Sequence, residues 1–329
     1  MLASRTEPCH DPQARAAVDE QPGVARPKVL VLLAACNGSR WIREQVQSIL
    51  TQEDVDVRIV VRDDGSTDGT RWELAHFAED DRVTVVTAPA ASCSAARNFL
   101  ALIGENGAAA SDFVAFADQD DLWNRDKLAA ACRMLGTSAA AGYSSATLAV
   151  WEDGRRQLLK PSGAPTASDF LFEGAGQGCT FVLTAGFYED VRRFLAAHTE
   201  LTQQLHYHDW LVYALARSWE RQWCFDAQPS MQYRQHEGNH TGARGTLGGI
   251  TRRLARVRQG WYGTQLHSIA GLCAAAAPAN ATVITWHRTF IQPAGWRRRF
   301  QVARFCLRGG RRRVRDNAIV LLAALWGWI

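Results

Sequence analysis

Short apolar runs alternate with amphipathic segments along the first third of this chain, and that alternation constrains the fold more than any other feature. Lys28–Cys36 (KVLVLLAAC), Val57–Arg62 (VRIVVR), Arg82–Thr87 (RVTVVT) and Asp112–Ala117 (DFVAFA) each read as a strand. Near-continuous apolarity, as in the first and last of these, marks strands covered on both faces of a parallel sheet. Between them, Trp41–Leu50, Thr70–Ala78 and Ser94–Leu102 carry apolar residues at helical spacing. Strands alternating with helices are βαβ units, which impose parallel pairing and right-handed crossovers. Further on, helices are expected at Lys127–Leu135, Tyr188–Ala197 and His206–Ser218. Strands are expected at Cys179–Thr184 and Gln222–Asp226, with an irregular stretch up to about Ala167 and a Pro-Ser turn before Tyr233.

In such sheets, ligands bind beyond the carboxyl ends of the strands. Those ends read Ala35-Cys36-Asn37, Asp63-Asp64 and Asp118-Gln119-Asp120-Asp121, so polar and acidic residues converge on one rim. Single carboxylates often cap helices. Four or five on one rim repel one another unless a cation lies among them. Asp-x-Asp just past a strand suits a hard divalent ion that completes its shell with phosphate oxygens. Neither G-x-G-x-x-G nor G-x-x-x-x-G-K-S/T follows the first strand, so dinucleotide-binding and P-loop readings are rejected. Arg97-Asn98, in the first turn of its helix, is either a surface pair or a phosphate contact. Asp209 is open at this level between a helix cap and a functional acid, and His236 between a structural and a functional histidine.

Charge and cysteines narrow the class. The net charge is +4, yet residues 295–316 hold nine Arg against one Asp, leaving the remainder near −4. Basicity confined to one segment argues against nucleic-acid binding, which spreads Lys and Arg over a folded face. Eight cysteines without C-x-x-C spacing argue against a zinc ribbon or a disulfide framework and fit reduced, cytoplasmic thiols. Residues 1–27 are polar with four prolines and lack an apolar core, so they read as a disordered leader rather than a secretory signal. The final AIVLLAALWGWI is too short to span a bilayer. Behind the arginines, it fits an interfacial anchor at the inner membrane face, or a helix packed on the body or on a second subunit with the arginines solvated.

Taken in order, Val29–Gly38, Val60–Thr70, Ser94–Phe99, Phe116–Lys127, Gly178-Cys179-Thr180, His208-Asp209-Trp210 and Tyr233–His236 with Asn239 resemble the family 2 glycosyltransferases. The similarity is to their bacterial rhamnosyltransferase-like branch. It implies an α/β GT-A fold over 28–242, with a helical, basic and apolar extension over 243–329. It also implies an inverting, metal-dependent transfer of rhamnose or a similar sugar. The donor would be a dTDP- or UDP-sugar and the acceptor a saccharide, lipid-linked, in surface polysaccharide synthesis. By the resemblance, Ala35, Cys36, Asn37, Asp63, Asp64, Arg97 and Asn98 line the nucleotide, with Asp64 accepting the base N3–H. Asp118 and Asp120, joined by His236, hold Mg²⁺ or Mn²⁺. Asp209 is the general base, and Asp121, Trp210 and Arg234 serve diphosphate or acceptor. The family usually places Tyr where this chain has Cys36, which removes an aromatic face from the base pocket. Rival readings are sugar-phosphate nucleotidyl transfer, a non-catalytic membrane-bound saccharide binder and, more weakly, glycoside hydrolysis.

Overall fold

The computed structural model describes residues 25–92, 94–161, 163–203, 205–236, 258 and 260–329. The leader through residue 24, Asn239 and the expected boundary near residue 243 lie outside the described residues. Four strands, β1 (Lys28–Ala35), β2 (Asp56–Asp63), β3 (Val83–Thr87) and β4 (Phe113–Asp118), pair in parallel in the order β3-β2-β1-β4. Seven of the eight β1 residues are buried, as expected for the centre of a sheet covered on both sides. Helices α1 (Ile42–Leu50), α2 (Thr70–Ala75) and α3 (Ala95–Glu105) make the crossovers. The side chain of Ser94 caps α3 by accepting the Arg97 N–H.

The sheet continues through β8 (Val182–Thr184), β6 (Ala140–Trp151), β9 (Gln222–Gln235) and β5 (Leu122–Trp123), with β7 (Arg156–Leu159) paired to β6. Here the sequence expectation fails. The stretch expected to be irregular contains β6, twelve residues long. Its run AAGYSSATLAVW shows no alternation because almost every residue is buried between neighbours on both faces. Gly142 is needed within it, since a Cβ there would collide with the Trp223 ring. The expected Pro-Ser turn is also absent. β9 runs on through Pro229, and β6 pairs Ser145 with Asp226 but Ala146 with Pro229, an irregularity that accommodates the missing N–H.

Helices α4 (Lys127–Gly136), α5 (Ala185–Ala197) and α6 (His208–Ser218) cover the second half of the sheet. The C-terminal helices α7 (Trp261–Ala276), α8 (Ala281–Ile291), α9 (Trp296–Gly309) and α10 (Val314–Trp326) share a continuous apolar core with α3, α5 and α6. Trp286 of α8 packs 4.7 Å from Phe172, and the Tyr262 hydroxyl donates to the Phe172 carbonyl at 2.6 Å. Two of the arginines read as tail basicity are structural residues whose side chains reach buried acids. Arg312 bonds Asp169 at 2.9 Å, and Arg311 bonds Glu173 at 3.1 Å. Asp169 also accepts from Arg217 and from the Tyr213 hydroxyl, so this buried network ties the C-terminal helices to α6. The apolar end is not a free peptide either: Val320, Ala323, Ala324 and Ile329 are buried. Among the described residues, no helix is long and apolar enough to cross a membrane.

Candidate active site

Parallel pairing brings the ends of β1, β2 and β4 side by side, as the sequence implied, and a hydrogen-bond mesh sets the rim. Asn37 adopts a left-handed conformation (φ 52°), which Asn tolerates better than most residues. Its N–H donates to Ser66 Oγ and its side-chain carbonyl accepts from the Thr67 N–H, both at 2.8 Å. The Gly38 N–H donates to Thr70 Oγ1. Asn37 therefore stitches the loop after β1 to the loop after β2.

Two residues expected to line the nucleotide are consumed in the same way. Asp63 is fully buried and accepts from the Ser66 N–H and hydroxyl and from Arg71 Nε at 2.7 Å. Asn98 is buried, donates to the carbonyls of Ala35 and Arg62 and accepts from Arg62 Nη1 at 2.9 Å. Both shape the rim from beneath. Asp64 is held differently: the Ser92 N–H and hydroxyl reach its two carboxylate oxygens at 2.9 and 2.8 Å. Asp64 itself is buried; Cys36, whose thiol reaches the Asp64 carbonyl at 3.8 Å, and Arg97 are exposed, and Ala35 is buried, offering its carbonyl to the Asp64 N–H.

The acidic loop after β4 is locked by a residue the sequence reading passed over. Gln119 accepts the Cys36 N–H at 2.7 Å and donates to the Cys36 carbonyl at 2.9 Å. Its amide lies where a Cβ on Gly38 would be, so Gly38 is required for this contact. Asp120 meets His236 Nε2 at 2.8 Å, and the imidazole stacks on Trp41 with centroids 4.0 Å apart. Burial first, then the charges of Asp120 and Asp209, push the Asp118 carboxyl up to about 7.

Beneath these lies Asp121, fully buried with neither oxygen hydrogen-bonded. Ligand atoms of Asp118, Asp121 and Cys179 lie within 4.8 Å of one another. Burial lowers the Lys127 amine to about 8, and its Nζ sits 3.8 Å over the Trp123 ring without a hydrogen bond. Mutually repelling carboxylates, orphaned buried oxygens and an adjacent imidazole form a donor set that fits a hard divalent cation.

Across the rim, Asp209 lies in the first turn of α6 and accepts the Trp210 N–H at 2.7 Å. Burial raises its carboxyl to about 6, against the opposing pull of backbone N–H groups. The residue preceding α6 is Tyr207, so Asp209 is not the cap of this helix. His208 is buried, stacked on Phe99 at 3.8 Å and pushed down to about 3, hence neutral. Gly178 admits this first turn, because a Cβ there would stand 2.8 Å from His208 Nε2 and 3.0 Å from Asp209 Cβ.

Two expectations for acceptor and diphosphate residues change. Trp210 is a buried wall whose indole N–H donates to the Phe170 carbonyl at 2.8 Å. Arg234 pairs with Glu44 of α1. Trp41 and Ser92 join the site without a sequence signal of their own, whereas Gln119, Lys127 and Cys179 lay inside recognisable motifs without a role assigned to them.

Residues 30–160 match the family described as glycosyl transferase family 2. Over 244 residues the chain is 34% identical to the dTDP-rhamnosyl transferase RfbG of Shigella flexneri, covering 74% of this chain and 84% of that protein. It is 36% identical over 104 residues to a putative teichuronic acid biosynthesis glycosyltransferase, TuaG, of Bacillus subtilis, covering 31% of this chain and 40% of that protein. The crystal structure of S. aureus TarS 1–349 in complex with UDP-GlcNAc superposes with a TM-score of 0.55 at 16% identity. That match covers 92% of this chain and 80% of TarS, a likeness of fold.

Proposed function

This chain belongs to glycosyl transferase family 2 and is a hexosyltransferase; we propose that it inverts the anomeric centre of a dTDP-sugar, rhamnose by kinship with RfbG, as it passes the sugar to a saccharide. One observation carries the reading. Asp209, in the first turn of α6, stands across one rim from the loop after β4, where Asp120 meets the His236 imidazole at 2.8 Å, and its charge is near enough to act on Asp118. A carboxylate base facing an acid pair that would hold the diphosphate through a cation is what single displacement needs. Asp64, steadied by Ser92, accepts the N3–H of the pyrimidine, with Cys36 beside the base. Asp118, Asp120 and His236 would hold Mg²⁺ or Mn²⁺, which would neutralise the diphosphate and make it a better leaving group. Gln119 fixes the loop so that Asp118 and Asp120 keep their spacing, and Trp41 fixes the imidazole plane. Asp209 takes the acceptor hydroxyl proton as the oxygen attacks, and no covalent sugar intermediate is required.

The acceptor in this reading is lipid-linked and met at the cytoplasmic face of a membrane, in surface polysaccharide synthesis. Support comes from the arginines and apolar residues left exposed on α9 and α10. Thermal shift with a panel of nucleotide sugars, each with and without Mn²⁺, tests base, sugar and metal together. A cation-dependent rise with dTDP-sugars is expected. An equal rise with purine-nucleotide sugars, or none with any, would refute the donor assignment.

A further inference from the structure

Helix α9 carries two exposed stripes. Trp296, Phe300 and Leu307 are 74%, 65% and 74% exposed, and at 100° per residue they fall within about 40° of one another. Arg297, Arg304 and Arg308 form the adjacent stripe, all exposed. Beside that stripe a cleft of about 250 Å³ opens between α8 and α9, lined by Thr285, Thr289, Gln301, Arg304, Phe305 and Arg308. Arg304 and Arg308, one helical turn apart on the same face, make no ion pair among the described residues. The buried Gln301 Oε1 has no hydrogen-bond donor.

From these features we propose that the α8–α9 cleft binds the headgroup of an anionic glycerophospholipid. Two unpaired guanidinium groups on one helical turn match a phosphate, for which arginine supplies forked donors. The orphaned Gln301 carbonyl needs a donor, which a headgroup hydroxyl supplies. Trp296, Phe300 and Leu307 then enter the interface beside the headgroup, where aromatic and aliphatic side chains rest on the acyl boundary. Exposed apolar residues on α10, Ile319, Leu322, Leu325 and Trp326, extend the same helical hairpin. Gly327, at the end of α10, abuts Arg299 near the start of α9, which brings Trp326 to the same end of the hairpin as Trp296. The site deepens the reading of a lipid-linked acceptor, because it would hold the enzyme where such an acceptor resides.

The test is flotation of the full-length protein with vesicles of phosphatidylcholine alone and with 30% phosphatidylglycerol. Specific binding predicts partition to the mixed vesicles only. The pair Arg304→Ala/Arg308→Ala should weaken it about thirty-fold or more, whereas the matched pair Arg297→Ala/Arg315→Ala should cost several-fold less. Gln301→Glu sets a carboxylate against the phosphate and should weaken partition well beyond Gln301→Ala. Equal losses from the two arginine pairs would mean a diffuse field and overturn the cleft. So would stabilisation of the protein by inorganic phosphate without vesicle partition, which would make it a site for a free anion. The arginines face solvent and Gln301 is only partly exposed, so folding of every variant is checked by unchanged thermal unfolding. Transfer to a soluble acceptor should be unaffected by all of these changes, so the failure of the lipid site and the failure of the transferase reading are told apart.

Discussion

Replacing Asp209 by Asn should abolish transfer while making the free protein more stable at neutral pH, an unusual pairing that follows from the geometry. Asp209 accepts the Trp210 N–H through one oxygen, and an amide oxygen keeps that bond. What Asn removes is charge in a site where burial raises the carboxyl from 3.8 to about 6. Because the folded-state pKa lies above the unfolded one, ionisation opposes folding. The cost is absent below about pH 4, grows as pH rises to about 6, and is constant above that. Two pKa units at about 1.4 kcal/mol each set an upper bound of about 3 kcal/mol, and the partial exposure of Asp209 reduces it to about 1–2. Urea unfolding at pH 8 and pH 4, in EDTA so that no cation enters, should therefore show the variant ahead of wild type only at pH 8. Transfer should fall about 10²–10⁴-fold, the usual contribution of a general base, with dTDP-sugar affinity retained. The wild-type rate should have an acid limb near pH 6. A variant that transfers at near wild-type rate, or that is less stable at pH 8 than wild type, would refute the assignment.

Other consequences are as direct. Asp120→Ala removes a carboxylate from the proposed cation site and the partner of His236, so calorimetry should find cation-dependent dTDP binding lost; an unchanged titration would place the metal elsewhere. Gly142→Ala forces a methyl against Trp223 and should lower the urea midpoint by the equivalent of about 1–3 kcal/mol. Arg312→Ala leaves Asp169 and Glu173 buried with one cation fewer, and should cost about 3 kcal/mol in denaturant unfolding. Cys36→Tyr restores an aromatic face at an exposed position of the rim; if the base lies there, dTDP should bind about tenfold more tightly, as stacking on a base is worth about 1–3 kcal/mol.

The parallel half of the sheet, its three crossover helices and the acidic rim were all determined by the chain's local pattern. Buried parallel strands must be apolar throughout, and the residues that follow them must turn, so both leave a local signature. The Asp118, Asp120 and Asp209 positions were legible as ordered motifs. β6 was not, because a strand enclosed on both faces by close-packed neighbours selects small residues, and small residues carry no period. Nor did local sequence separate Asp64, which Ser92 holds through both carboxylate oxygens, from Asp63, which is spent holding a turn; both are buried, and adjacent residues of one type are distinguished only by which partners the fold brings to each. Arg311 and Arg312 looked like the other arginines of their segment until the fold delivered Asp169 and Glu173 from about 140 residues earlier in the chain. Whether an arginine is a buried tie or an exposed contact depends on partners remote in sequence, and only the tertiary structure supplies those.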